Sequence, residues 1–291
     1  MTEGKKVLRK IDTPFYNYFQ AIVLSFFSRR LYVDVGKRWK GFGLFYLLLV
    51  MFIFTLPFAL RVVADFSVFF EQQLVEPIKQ LPPIYIQNGI VSFDKPMPYL
   101  IKNKAGQVVA IVDTTGTVKS IDNTFPHLAA LITKDKFFYR VPSPQFFFTK
   151  QPTKEKDPVY VQPLNENINQ IFDGKTWVES SGLSKIKWVS QLIIYPTVAL
   201  IFFAIYLVFL LVFSLMGQFL ARLFFHITIS YKQTCRLLAV SATPQIFFLL
   251  VGLTLDWLFP GFGLVLIILL AFYFSFAVIA LKRESQKLVI S

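Results

Sequence analysis

LIIYPTVALIFFAIYLVFLLVFSL, residues Leu192–Leu215, is an apolar run without a single charged side chain. A helix needs about 20 such residues to cross a hydrocarbon core roughly 30 Å thick, so this run is long enough to span a bilayer. Gly41–Leu60, Leu237–Phe259 and Phe262–Leu281 have the same character. Their spacing is uneven: the first run stands alone, the other three crowd the C-terminal third, and a polar segment, 61–188, lies between. This layout predicts an α-helical membrane protein with four transmembrane helices and an inserted strand-rich α+β extracytoplasmic domain. The chain divides into a cytoplasmic N-terminal segment with an amphipathic helix (1–40), helix one (41–60), the insert (61–188) and helix two (189–216). A cytoplasmic or interfacial linker (217–236), helices three (237–259) and four (262–281) and a cytoplasmic tail (282–291) complete it.

The composition agrees with that class. Of the 291 residues 55% are hydrophobic, and 34 are phenylalanine. A net charge of +13 raises nucleic acid as a partner, but the distribution of charge argues against it. The first 40 residues carry nine basic and three acidic side chains. Arg222, Lys232 and Arg236 follow run two, and Lys282, Arg283 and Lys287 follow run four. Segment 61–188 is nearer balance, with 15 basic and 12 acidic residues. Basic clusters beside the run ends that share one side form the positive-inside pattern, which predicts cytoplasmic N and C termini and an external insert. The first run starts 40 residues in and lacks a small-residue cleavage site, so it reads as a retained anchor. The one cysteine, Cys235, falls on the predicted inner side, so no disulfide is expected in the insert.

Local patterns fill in the elements. In 11–28, Phe15, Phe19, Ile22, Val23, Phe26 and Phe27 share one helical face, with Arg29 and Arg30 closing the segment. This suits an amphipathic helix in the cytoplasmic interface, or one packed on the bundle, the first being preferred. After run one, Phe66–Gln80 continues as helix until Leu81-Pro82-Pro83 stops it. Short β-branched runs at 84–86, 90–93, 99–102, 108–112 and 117–121, separated by turn residues such as Asn88-Gly89, read as an antiparallel meander. Further strands are expected at 137–140, 146–149 and 159–162, with a charged loop over 150–158 and helix over 165–172. The connection between runs three and four is expected to be the tight turn Pro260-Gly261.

Chemical motifs are sparse. Asp113-Thr-Thr-Gly-Thr117 resembles the Asp-Thr-Gly loop of aspartic proteases, but has one threonine too many and no second copy to supply the paired carboxylate. It also lacks the lysine of the ion-pump phosphorylation motif. A turn, with Asp113 capping backbone amides and Gly116 at positive φ, is the expectation. His127 and His226 are the only histidines and fall on opposite predicted sides, so with Cys235 they build no zinc site. His127 reads as a surface or capping residue. Asp256 is the one charge within the four runs and is read as an interfacial partner of Arg61 rather than a proton or cation site. Pro57, Pro196 and Pro244 are read as packing kinks. No catalytic, cofactor-binding or metal-binding residue is assigned, and no cofactor.

Leu81–Phe93 and Val109–Gly116 resemble the external domain of a bacterial membrane-protein family, domain of unknown function 1189, some members of which are labelled as maltodextrin-utilisation proteins. Ile229–Ala239 with Pro244 resembles its linker into the third span. The resemblance covers roughly residues 12–283. It implies four spans, an inserted extracytoplasmic domain and the bacterial cytoplasmic membrane, and supplies no active residues. The expected function is therefore non-enzymatic: the insert binds or scaffolds an envelope protein or saccharide, while the helices anchor it in the lipid bilayer. The alternative is an oligomeric transporter or permease component. Nucleic acid is not expected as a partner, and a homo-oligomer is allowed.

Overall fold

The computed structural model describes residues 13–122, 124–140 and 158–290, with side chains to Gln286. The strand expected at 146–149 and most of the charged loop at 150–158 lie outside these residues. The chain forms two compact units, one built from 1–63 with 192–291 and the other from 64–191.

Among the described residues, four helices are long and apolar enough to cross a membrane. The first unit opens with α1 (Tyr18–Leu24) and α2 (Arg29–Lys37). The helix expected over 11–28 is thus corrected to the shorter α1, and a further helix follows where the segment was expected to close. Asn17 and Gln20 form a reciprocal capping box on α1, and Ser28 caps α2, so Arg29 and Arg30 open a second helix instead of closing the first. The α1 stripe is divided: Phe15, Phe19, Val23 and Phe27 are exposed, whereas Ala21, Ile22 and Ser25 are buried. On α2, Leu31, Tyr32 and Val35 are fully buried. Asp34 is buried beside them and accepts from the amides of Phe15 (3.0 Å) and Tyr16 (3.2 Å), which ties the entering chain to α2.

α3 (Leu44–Phe69) carries the first run and passes into a π-helical turn (Phe70–Val75) and a short α4 (Glu76–Lys79). The run in 192–215 lies within α6 (Leu183–Phe225), one helix of 43 residues. At 1.5 Å per residue it is about 65 Å long, roughly twice the thickness of a hydrocarbon core. The helix continues past Met216-Gly217, where the span is expected to end, since no breaker intervenes before His226, which takes φ 54°. α7 (Tyr231–Thr254) starts six residues before the expected third run, because Ser230 and Gln233 form a second capping box. Its end at Thr254 makes the link to α8 (Phe262–Ile290) a loop over 255–261 rather than a two-residue turn.

α7 is the centre of the first unit, packing on α8 and α2 and touching α1. Gly43, just before α3, shows how close the approach is. It has φ +81°, and a Cβ there would sit 3.1 Å from Arg236 Cα.

The second unit has two small sheets. β1 (Ile84–Gln87) and β2 (Ile90–Ser92) form a hairpin through Asn88-Gly89, and β8 (Gln170–Phe172) pairs on the other side of β1. The helix expected over 165–172 is corrected, because pairing with β1 draws 170–172 into a strand. The other sheet runs β3 (Tyr99–Lys102), β4 (Val108–Val112), β5 (Ala130–Ile132), β6 (Lys136–Arg140) and β7 (Val159–Pro163). All its neighbours are antiparallel except β4 and β5. The continuous antiparallel meander is corrected accordingly: 117–121 is not a strand but part of the crossover that a parallel pair requires. Ile121 and Leu128 of that crossover pack on Ile111 and Leu131. Ile101 and Val112 pack with Ile84, Val91 and Phe93. α5 (Gly174–Ser180), capped by Asp173, leads on to α6.

Candidate functional site

Sheet edges expose unpaired backbone groups, and proteins guard them with short strands, prolines, bulges and lysines. Among the described residues, three of the four edges are guarded. β2 and β8 have three residues each. β3 carries Lys102, a register irregularity beside it, and Pro96 and Pro98 just before it. The fourth, β7, reads Val-Tyr-Val-Gln-Pro, with no charge and five exposed residues.

The register fixes what this edge presents. The Leu164 amide donates to Asp135 (2.9 Å) across the β6–β7 ladder, and on β6 the Arg140 amide donates toward β5, to Ala129 (2.8 Å). Antiparallel strands alternate inward and outward residues. With Tyr160 opposite Tyr139 and Gln162 opposite Phe137, these two face the ladder. Val159, Val161 and Pro163 therefore turn their backbone groups away from it. Pro163, which has no amide hydrogen, sits where its loss costs the ladder nothing.

Side chains complete the surface. Phe137, Tyr139 and Tyr160 form a stacked ladder, with ring centroids 5.5 and 5.4 Å apart and interplanar angles of 20° and 21°. Tyr160 is its exposed end, 48% accessible, and Val161 on the opposite face is 51% accessible. The edge thus offers two amides, three carbonyls, an aromatic face and a valine, the groups that strand addition uses.

Asp113 forms the expected turn. Its carboxylate is enclosed and accepts from the amides of Thr115 and Val118 and the Thr115 hydroxyl, with Gly116 at φ +81°. Burial pushes its pKa up, but hydrogen bonds from Thr115, Val118 and Gly116 outweigh this and hold it below the ordinary value. His127 is exposed, 3.2 Å from the Gln107 amide nitrogen. His226 is exposed in the other unit. No group of three metal-ligating side chains forms among the described residues.

Arg61 and Asp256 meet, at 3.9 Å. Closer contacts run from the Arg61 guanidinium to the carbonyls of Leu253 (3.0 Å) and Thr254 (2.8 Å), so Arg61 caps the C-terminus of α7. Asp256, the one charge within the four expected runs, lies just past the end of α7, and the earlier start of that helix brings in a second charged residue, Arg236. It lies inside α7, buried, and donates to the carbonyls of Gly36 (2.8 Å) and Trp39. Farther along α7, Ser241, Thr243 and Gln245 are also buried. Thr243 meets the Tyr46 hydroxyl at 2.7 Å, while Ser241 Oγ and Gln245 Oε1 have no hydrogen-bond partner among the described residues. The overlooked signal was the early start of α7, which Ser230-Tyr-Lys-Gln233 encodes.

Residues 19–278 match the family model described as Protein of unknown function (DUF1189). The chain belongs to the DUF1189 family. No curated protein and no solved structure matches it. The match runs from α1 into α8, so the family region of this DUF1189 member takes in the whole second unit and most of the first.

Proposed function

We propose that this protein is a non-enzymatic, four-span protein of the bacterial cytoplasmic membrane with both termini cytoplasmic. Its external insert is a docking module for an extended polypeptide of the envelope. The observation that carries this reading is the unguarded, uncharged β7 edge. Alternating amide and carbonyl groups at strand spacing favour a polypeptide over a saccharide. The helical unit anchors the module, and the exposed phenylalanine stripe of α1 suits the inner interface.

The test is a photo-crosslinking residue in place of Tyr160, with Leu100 on the guarded β3 edge as control, in the full-length protein in a bacterial host. Crosslinks to a defined protein at 160, absent at 100 and lost on Val161→Pro, support the reading. Val161 directs its amide outward, so this substitution removes a docking donor while sparing the β6 ladder. Equal crosslinking at both positions, or indifference to Val161→Pro, refutes it. A reporter fused after Lys154 and another after Lys287 should report opposite sides; two cytoplasmic signals refute the topology.

A second reading, an oligomeric transporter, draws on Ser241 and Gln245, polar groups buried near the middle of α7. Flux through liposomes holding the purified protein, abolished by Gln245→Leu, would favour it.

A further inference from the structure

We infer that the strand that docks on β7 is the β7 of a second copy of this chain, paired antiparallel about Val161. The inference rests on the docking-edge reading and names its partner. It comes from the self-complementarity of the outward groups. With Val161 opposite Val161 of the second copy, Val159 falls opposite Pro163 and Pro163 opposite Val159, so the whole strand pairs residue for residue. The Val161 amides and carbonyls then exchange two hydrogen bonds. Each Val159 amide finds a Pro163 carbonyl. Every outward amide on the two strands is satisfied. The missing donor of Pro163 falls opposite the Val159 carbonyl, the one outward acceptor on each strand left to water.

The charges permit this pairing at β7. A chain with net charge +13 meets like charge in most contacts with its own copy. β7 carries none. The nearest ladder charges are Arg140, opposite Val159, and Lys136, opposite Pro163. In the pair, Arg140 lies in one row with Lys136 of the second copy, three strand spacings away. That is about 14 Å, beyond the roughly 8 Å over which exposed charges act at physiological ionic strength. The side chains agree as well. Tyr160 comes beside Gln162 of the second copy at the open end of the Phe137–Tyr139–Tyr160 stack, and the two exposed Val161 side chains cover each other. Two five-stranded sheets become one continuous sheet, and both exposed edges are closed.

Cysteine scanning of the full-length protein in lipid nanodiscs and in detergent tests this, in a Cys235→Ala background. A directly opposed, hydrogen-bonded pair sets its Cα atoms about 5.5 Å apart, inside the disulfide range, whereas residues offset by two lie about 7 Å apart or more. Val161→Cys should therefore form a disulfide-linked dimer at least about tenfold faster than Tyr160→Cys or Gln162→Cys. Val161→Pro, which removes the central amide, and Val161→Lys, which sets two ammonium groups face to face, should each shift the mass distribution to monomer. The pair of substitutions guards against a fold defect peculiar to one of them. Disulfide formation fastest at 160 or 162, a dimer indifferent to both Val161 changes, or a chain that stays monomeric in the bilayer overturns the inference. A monomer whose position 160 still crosslinks to another protein overturns the second copy while leaving the docking edge standing.

Discussion

The Tyr46–Thr243 pair gives the sharpest energetic test of the helical unit. Tyr46 on α3 is fully buried, and its hydroxyl lies 2.7 Å from Thr243 Oγ1 on α7. Tyr46→Phe and Thr243→Val each remove one partner and keep the shape. Each leaves the other hydroxyl buried and unpaired, which costs about 1–3 kcal/mol. Removing both together strands neither group of the pair, so the double variant should cost little more than Tyr46→Phe alone. Side-chain hydrogen bonds between membrane helices average about 0.6 kcal/mol in double-mutant cycles and reach about 1.7 kcal/mol. The coupling here should fall in the upper half of that range, because both groups are sealed from water. Equilibrium unfolding in mixed detergent and SDS micelles, followed by helical circular dichroism, measures all four corners of the cycle. Single costs that add to within about 0.3 kcal/mol would show that the pair does not tie α3 to α7.

Gly43→Ala should destabilise the helical unit by about 1–3 kcal/mol, since a side chain there meets both a positive φ and the Arg236 backbone at 3.1 Å; the same unfolding assay reads it. Arg61→Gln should cost about 0.5–1 kcal/mol by uncapping α7, and Asp256→Asn less, because that pair is half exposed and 3.9 Å apart. If the two act only through each other, the double variant costs no more than Arg61→Gln. Asp113 has a depressed folded-state pKa, so its contribution to stability is present above its unfolded value near 3.8 and is lost as pH falls through the folded value. Hydrogen exchange over 108–121 should therefore accelerate below about pH 4 in the native chain. In Asp113→Asn, which is destabilised by about 2 kcal/mol at neutral pH, that acid dependence should flatten.

Hydropathy made the four long helices legible, because a run of apolar side chains needs no knowledge of its neighbours. The same holds for β1 and β2, whose Asn88-Gly89 turn takes the positive φ values of 52° and 74° that its residue types favour. What escaped depends on partners distant in sequence. β8 is a strand because β1 is there to pair with it, and β5 lies parallel to β4 because 113–129 folds over Ile111 and Leu131. The start of α7 was written locally, in Ser230 and Gln233, but their polarity resembled a linker. Arg236 followed from that error: placed in a linker it counts as a topological charge, and placed in α7 it is a buried clamp on the end of α2. The β7 edge was visible only as a short strand. Its exposure, register and outward amides required the ladder to β6.

An uncharged sheet edge is a hazard in a freely diffusing protein, where it meets other edges in every orientation. On the proposed topology the hazard is contained. The insert is then tethered to a bilayer at both ends, through α3 and α6, so its edge is confined to the layer beside that membrane. Two copies in one membrane meet at an effective concentration far above their bulk value, and a few strand hydrogen bonds then suffice for pairing that would fail in solution. The same confinement limits the edge to partners that reach that layer. A soluble protein in this position would need lysines on β7. The anchored one keeps Val-Tyr-Val-Gln-Pro, and Val161→Lys separates the two explanations: it should leave the fold intact and remove the association.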